Sequence, residues 1–121
     1  RALSAGGAAV LEDILFASGD SDLAAGDYGS LQAVAKWLNA NPTQGVLIRG
    51  YTDSSGDPNA NLALSTARAQ TIGQYLVAEF GIMSGRIATD GMGMAMPRAD
   101  NATAEGRMKN RRVEVTAMPL N

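Results

Sequence analysis

A chain of 121 residues, 45% of them hydrophobic, is long enough to close one apolar core and too short to expect two. Ten basic against twelve acidic residues leave a formal net charge of -2, which excludes bulk attraction to nucleic acid or to an anionic membrane as a driving force. With no Cys and no His, disulfides, thiolate and imidazole nucleophile systems and the usual zinc ligands are removed together.

The cations are eight Arg and two Lys, and Arg107, Lys109, Arg111 and Arg112 stand close together. Arg suits forked, planar contact with carboxylates, so any anion recognition is local and favours that chemistry; surface solubility is the plainer reading. No apolar stretch approaches the roughly 20 residues of a membrane-spanning helix. The chain starts without Met or a signal peptide, which reads as a mature fragment or excised domain whose targeting and anchoring segments, if any, lie outside it. Residues 1–121 are read as a single domain.

In chain order, AAVLEDILF at 8–16 predicts a first strand, and GDSDLAAGD a turn-rich connection. Leu31, Val34, Ala35 and Leu38 recur at helical spacing, with Asp27 as the expected N-cap and a stop near Asn39, before Asn41-Pro42. That helix should bury Leu31, Val34, Leu38 and part of Trp37.

GVLIRGY predicts a central strand with Val46 and Ile48 on one face and Leu47 and Arg49 on the other. The longest helix follows from about Asn59 to Phe80, with Leu62, Ser65, Ala69, Ile72, Leu76 and Phe80 on its core face and Gly81 at its end. Arg86-Ile87-Ala88-Thr89 begins a third strand, GMGMAMP is an exit loop, and ATAEGRMK a short helix. Arg112 to Ala117 alternates as the last strand, with Val113, Val115 and Ala117 inward. The order β-α-β-α-β-β predicts an α/β (α+β) sandwich, a mixed four-stranded sheet with helices packed on one face.

The candidate chemistry lies in YTDSSGDPNANLALSTARAQ, where Arg68 on the next helix stands fifteen positions after Asp53 at a strand exit. A carboxylate and a guanidinium so placed can hold a zwitterion, one taking an ammonium and the other a carboxylate. On a helical wheel Asn61 and Arg68 nearly superimpose, with Leu62, Ala69, Ile72 and Leu76 to one side, which predicts Arg68 at a rim. The bland alternative is a structural Asp53–Arg68 salt bridge.

From Gly45 to Arg112, the run IRGYTDSSGDPNANLALSTARA followed by GMGMAMP and NATAEGRMKNRRVEV closely resembles the OmpA-like domain family that binds peptidoglycan, over about residues 9–117. The resemblance implies that Asp53 and Arg68 grip the free amino-acid end of meso-diaminopimelate in the stem peptide. Thr52 and Asn61 would add neutral hydrogen bonds, and Leu64 would line the side. Arg111 would approach the ligand carboxylate, Arg112 would be structural, and Asn110 would cap or orient the turn between helix and strand.

Two places depart from the family pattern. Tyr51 stands where many members have His, removing a titrating neighbour but keeping a hydrogen-bonding ring. Ala17 and Ser18 replace an acidic step after Phe16, leaving Asp20 or Asp22 as substitutes for a first-loop ligand contact.

The remaining signals are weak. GMGMAMP has Met96 where a dinucleotide fingerprint needs its third Gly, so it reads as a tight turn, and Met92, Met94 and Met96 as adaptable packing beneath or beside the cleft. Asp20, Asp22 and Asp27 lack the spacing of a calcium loop, so neither metal nor cofactor is expected. No paired carboxylates accompany an aromatic sugar platform, so the chain is not expected to be an enzyme. The resemblance implies anchoring of an outer-membrane or envelope protein to the wall, in the periplasm of a Gram-negative cell. The alternative is an assembly domain of stator or secretion-system type, acting mainly as a homodimer.

Overall fold

A computed structural model describes residues 8–16 and 19–120. Its elements are β1 (Ala8–Val10), α1 (Gly29–Ala40), β2 (Gln44–Tyr51), α2 (Pro58–Phe80), a 3-10 turn (Ser84–Arg86), β3 (Ile87–Gly91), α3 (Ala104–Asn110) and β4 (Arg112–Pro119). The sheet runs β1-β4-β2-β3, with β4 antiparallel to both neighbours and β3 parallel to β2. This is the mixed four-stranded α/β arrangement that the periodicities predict.

The core sits on one side of the sheet. Ile48 pairs with Val115 and Gly50 with Val113, so these strands send the same face toward the helices. Val46, Ile48, Val113 and Val115 join Leu31, Val34 and Leu38 of α1 and Ala69, Ile72 and Leu76 of α2 in one cluster. On the other side, Arg49 stands in register between Asp90 and Glu114.

Several local expectations change. The first strand stops at Val10 because Leu11 and Ile14 are three residues apart and strict alternation cannot bury both. A turn closed by the Ile14 N–H on the Leu11 carbonyl (3.1 Å) lets both reach the core. The N-cap of α1 is Tyr28 rather than Asp27, and it makes no side-chain capping bond. Asp13, from the turn after β1, instead accepts from the Ser30 N–H (3.1 Å) and the Ser30 hydroxyl. At the other end of α1, the Arg86 guanidinium donates to the carbonyls of Leu38 and Asn41, each at 2.8 Å.

In α2, Asp57 accepts from the Ala60 N–H (2.8 Å), Pro58 occupies the first turn, and Gly81 ends the helix at φ 66°. The expected core face shifts by part of a turn: Leu62 is 49% exposed, while Arg68 and Gly73 join the buried side. Gly50 explains the close seating of this helix. A β-carbon there would fall 2.3 Å from the Ser65 carbonyl oxygen, so only glycine lets the backbones of β2 and α2 meet. That contact brings the second turn of α2 against the exit of β2.

Candidate functional site

The backbone just beyond β2 is pinned before it turns away. Thr52 donates its N–H to the Gly93 carbonyl (2.7 Å), and the Gly93 N–H donates to the Ser65 hydroxyl (2.9 Å), tying the strand exit, the GMG turn and α2 together. Asp53, only 7% exposed, follows. One carboxylate oxygen accepts from the Ser55 N–H (2.7 Å), and the other from Arg111 Nη1 (2.5 Å). The Thr52 hydroxyl donates to the Asp53 carbonyl (2.9 Å), and the Asn61 amide to the Ser55 carbonyl (2.7 Å).

Arg68 reaches the same place from α2. Its Nε donates to the Asp20 carbonyl (2.8 Å), and its guanidinium carbon lies 5.0 Å from the centre of the Phe16 ring. The result is a cleft of about 530 Å³ lined by Thr52, Asp53, Asn61, Leu64, Arg68 and Arg111, with Phe16, Gly19 and Ser55 completing the wall. All six residues singled out in the sequence thus face one cavity.

Their relations differ from the expectation in two respects. Arg68 is 5% exposed rather than at a rim, because the Phe16 ring and the Asp20 backbone pack against it. Asp53 forms its ion pair with Arg111, from the far end of the chain. Arg111 is the more open partner of the pair: its side chain is 43% exposed, against 9% for that of Asp53.

Asn110, fully buried, orients the turn as expected. Its amide oxygen accepts from the N–H groups of Arg98 (2.7 Å) and Ala99 (2.9 Å), and its nitrogen donates to the Ala99 carbonyl (2.9 Å) and the Asn101 side chain (2.8 Å). Arg112 is structural: it bonds Glu114 and the Met96 carbonyl and stacks 3.8 Å above the Tyr51 ring. Tyr51 therefore stands outside the cleft, in a neighbouring pocket.

From the first loop, Asp20 acts through its backbone, while its carboxylate accepts from the Asp22 N–H (2.9 Å). Ala17 and Ser18 lie outside the described residues. The three methionines do not line the cleft, and Met96, at φ 52°, is 68% exposed. Sequence reasoning missed Phe16, Gly19 and Ser55 as wall residues. Only Phe16 carried a usable signal, an aromatic next to a loop facing a cation. Among the described residues, no group of three or more acidic, His or Cys residues is placed to hold a metal ion.

Electrostatics keep the site charged at neutral pH. Burial alone would raise the Asp53 pKa, but hydrogen bonds from Ser55 and Arg111 and the Arg111 charge outweigh it and hold the carboxyl below its ordinary value. Burial and the nearby Arg111 charge lower the Arg68 pKa, opposed by Asp20 and Asp53.

The Asp53 shift has a testable sign. A depressed folded-state pKa contributes stability that is fully present above the unfolded value of about 3.9 and is lost as pH falls through the lower folded value. Urea titrations from pH 7 to pH 2 should show Asp53→Asn losing less stability than the parent below about pH 4. Parallel curves over that whole range would remove the assigned shift.

Comparison with known proteins follows this geometry. Residues 15–111 match the model of the OmpA family. The chain is 46% identical over 102 residues to the peptidoglycan-binding protein ArfA of Mycobacterium tuberculosis, covering 84% of this chain and 31% of ArfA. It is 38% identical over 102 residues to outer membrane porin F of Pseudomonas aeruginosa, covering 84% of this chain and 29% of the porin. The chain thus spans about a third of the length of these curated relatives. Among solved structures, the cell wall anchor of the T6SS from Pseudomonas aeruginosa superposes with TM-score 0.74 at 31% identity, covering 94% of this chain and 88% of that one.

Proposed function

The chain belongs to the OmpA family, and from that premise we propose that it binds peptidoglycan non-covalently, without catalysis, through the free amino-acid end of diaminopimelate in the stem peptide. The observation that carries this reading is the cleft that gathers one buried acid and two guanidinium groups around about 530 Å³. An ammonium and a carboxylate on one carbon need an acid and a base a few ångströms apart, and fixed partners of both signs also read handedness.

In this scheme Asp53 takes the ammonium. Arg68, held by the Asp20 carbonyl and the Phe16 ring, brings its positive charge to the carboxylate. Arg111, bonded to Asp53 through one nitrogen, turns to share that carboxylate. Thr52 and Asn61 orient the ligand, and Leu64 packs along its alkyl chain. The module then works in the periplasm as a tether, fixing a larger envelope protein to the wall. ArfA is named a peptidoglycan-binding protein and the T6SS relative a cell wall anchor, which supports the same chemistry here.

The test is calorimetric titration with a stem tripeptide ending in meso-diaminopimelate beside the same peptide ending in lysine amide, whose free side-chain end is an ammonium without a carboxylate. Saturable heat with the former alone is expected. Asp53→Asn, nearly isosteric, should weaken binding about 10- to 100-fold through loss of one charge-assisted contact. No heat with either ligand from a folded, dimeric protein would instead favour the assembly role.

A further inference from the structure

Among the described residues, the cleft wall carries two guanidinium groups, Arg68 and Arg111, and one acid, Asp53. That acid is already engaged. One of its carboxylate oxygens accepts from the Ser55 N–H (2.7 Å) and the other from Arg111 Nη1 (2.5 Å), and only 9% of the side chain is exposed. Asp20 also bears on Arg68, but its carboxylate is turned to the Asp22 N–H and does not line the cleft. An ammonium that enters therefore competes with Arg111 for the same oxygen of Asp53.

The two charges of a ligand act differently on this pair. A lone ammonium adds a third positive group beside a single wall carboxylate, and the bond it makes to Asp53 only replaces the one Arg111 loses, so the gain cancels. A lone carboxylate meets two guanidinium groups and leaves the Asp53–Arg111 pair closed. A zwitterion completes both exchanges: its ammonium takes the Asp53 oxygen and its carboxylate receives Arg111. Arg111 is open to the change, being 43% exposed and, among the described residues, bonded through Nη1 alone. Burial and the Arg111 charge together lower the Arg68 pKa, and a carboxylate between the two guanidinium groups relieves the second cause.

We propose that Arg111 is a specificity lock: by occupying Asp53 in the empty cleft, it makes the ligand carboxylate obligatory and the ammonium secondary. The inference rests on the wall-binding reading above and adds to it which stem-peptide ends are refused. An end that keeps the ammonium without the carboxylate, as in lysine or in diaminopimelate amidated at its distal carboxyl, gains nothing from Asp53. An end that keeps the carboxylate without the amine binds Arg68 and Arg111 with the pair intact. Specificity then comes from an internal competitor for the acid as much as from contacts to the ligand.

The experiment titrates three stem tripeptides into wild type, Arg111→Gln and Arg111→Lys. They end in meso-diaminopimelate, in lysine, and in 2-aminopimelate, which keeps the distal carboxyl but lacks the distal amine; all three are amidated at the main-chain carboxyl, so only the side-chain end varies. Relative to diaminopimelate, wild type should lose less than about ten-fold in affinity with 2-aminopimelate and more than about 100-fold with lysine. Arg111→Gln frees Asp53, so it should bind the lysine peptide at least about ten-fold more tightly than wild type does, while binding the diaminopimelate peptide more weakly. Arg111→Lys keeps a cation on Asp53 and should restore the refusal of lysine. A plain carboxylate contact at Arg111 predicts no gain for the lysine peptide in Arg111→Gln, and that result would overturn the lock. A wild type that suffers as much from loss of the amine as from loss of the carboxyl would overturn it too, a comparison that needs no variant. Failure of wild type to bind the diaminopimelate peptide would overturn the wall-binding reading itself, and this inference with it.

Discussion

Arg68→Ala is expected to lower affinity for meso-diaminopimelate by about 2 to 5 kcal/mol, because it leaves the ligand carboxylate in a desolvated cleft without its main partner. The burial of Arg68 adds a second effect. The Asp20 carbonyl loses its donor and the Phe16 ring its cation, so the variant should also lose about 1 to 3 kcal/mol of stability. Titration and urea denaturation on the same sample separate the two. Arg68→Lys sharpens the test: an ammonium can bond the Asp20 carbonyl or reach the carboxylate, but it lacks the planar fork that does both. The Lys variant should therefore recover most of the stability and little of the binding. An Ala variant that is folded and binds like wild type would remove Arg68 from the site.

How far the site was legible in the sequence depends on how local each cause is. Gly81 stops α2 by chemistry that acts within one turn, and the structure ends the helix where it stands, while the start expected at about Asn59 lies one residue earlier, behind the Asp57 cap. The alternation of Val46, Ile48, Val113 and Val115 names the core face of β2 and β4 for the same reason. Local patterns are silent about partners from elsewhere. Asp13 caps α1 across 17 residues, so Asp27, nearer in sequence, looked the better cap. Arg68 was expected at a rim because a helical wheel sees only its own helix; the Asp20 backbone packed against it lies 48 residues earlier. The Asp53–Arg111 pair spans 58 residues, and no periodicity links them. Only the family resemblance assigned both to one ligand.

Asn110→Ala should have the largest effect on stability although it touches no ligand group. The side chain is fully buried at the end of α3, and four hydrogen bonds tie it to residues 98, 99 and 101. Truncation removes four hydrogen bonds and takes the partner from two N–H groups and a carbonyl of Arg98 and Ala99, a loss of roughly 2 to 6 kcal/mol at about 0.5 to 1.5 kcal/mol per hydrogen bond. The damage also spreads to both sides of the cleft. The Asn101 side chain that Asn110 holds accepts from the Ser54 N–H (3.3 Å), next to Asp53, and Arg111 directly follows Asn110 in the chain. Asn110→Asp keeps the acceptor for Arg98 and Ala99 but loses the donors, so its midpoint in urea should fall between those of Ala and wild type. Binding should weaken in the same order and by less, since Arg111 still finds Asp53 when the turn loosens. If both variants unfold like wild type while binding is lost, Asn110 acts on the ligand directly and its role as an anchor of the turn is wrong.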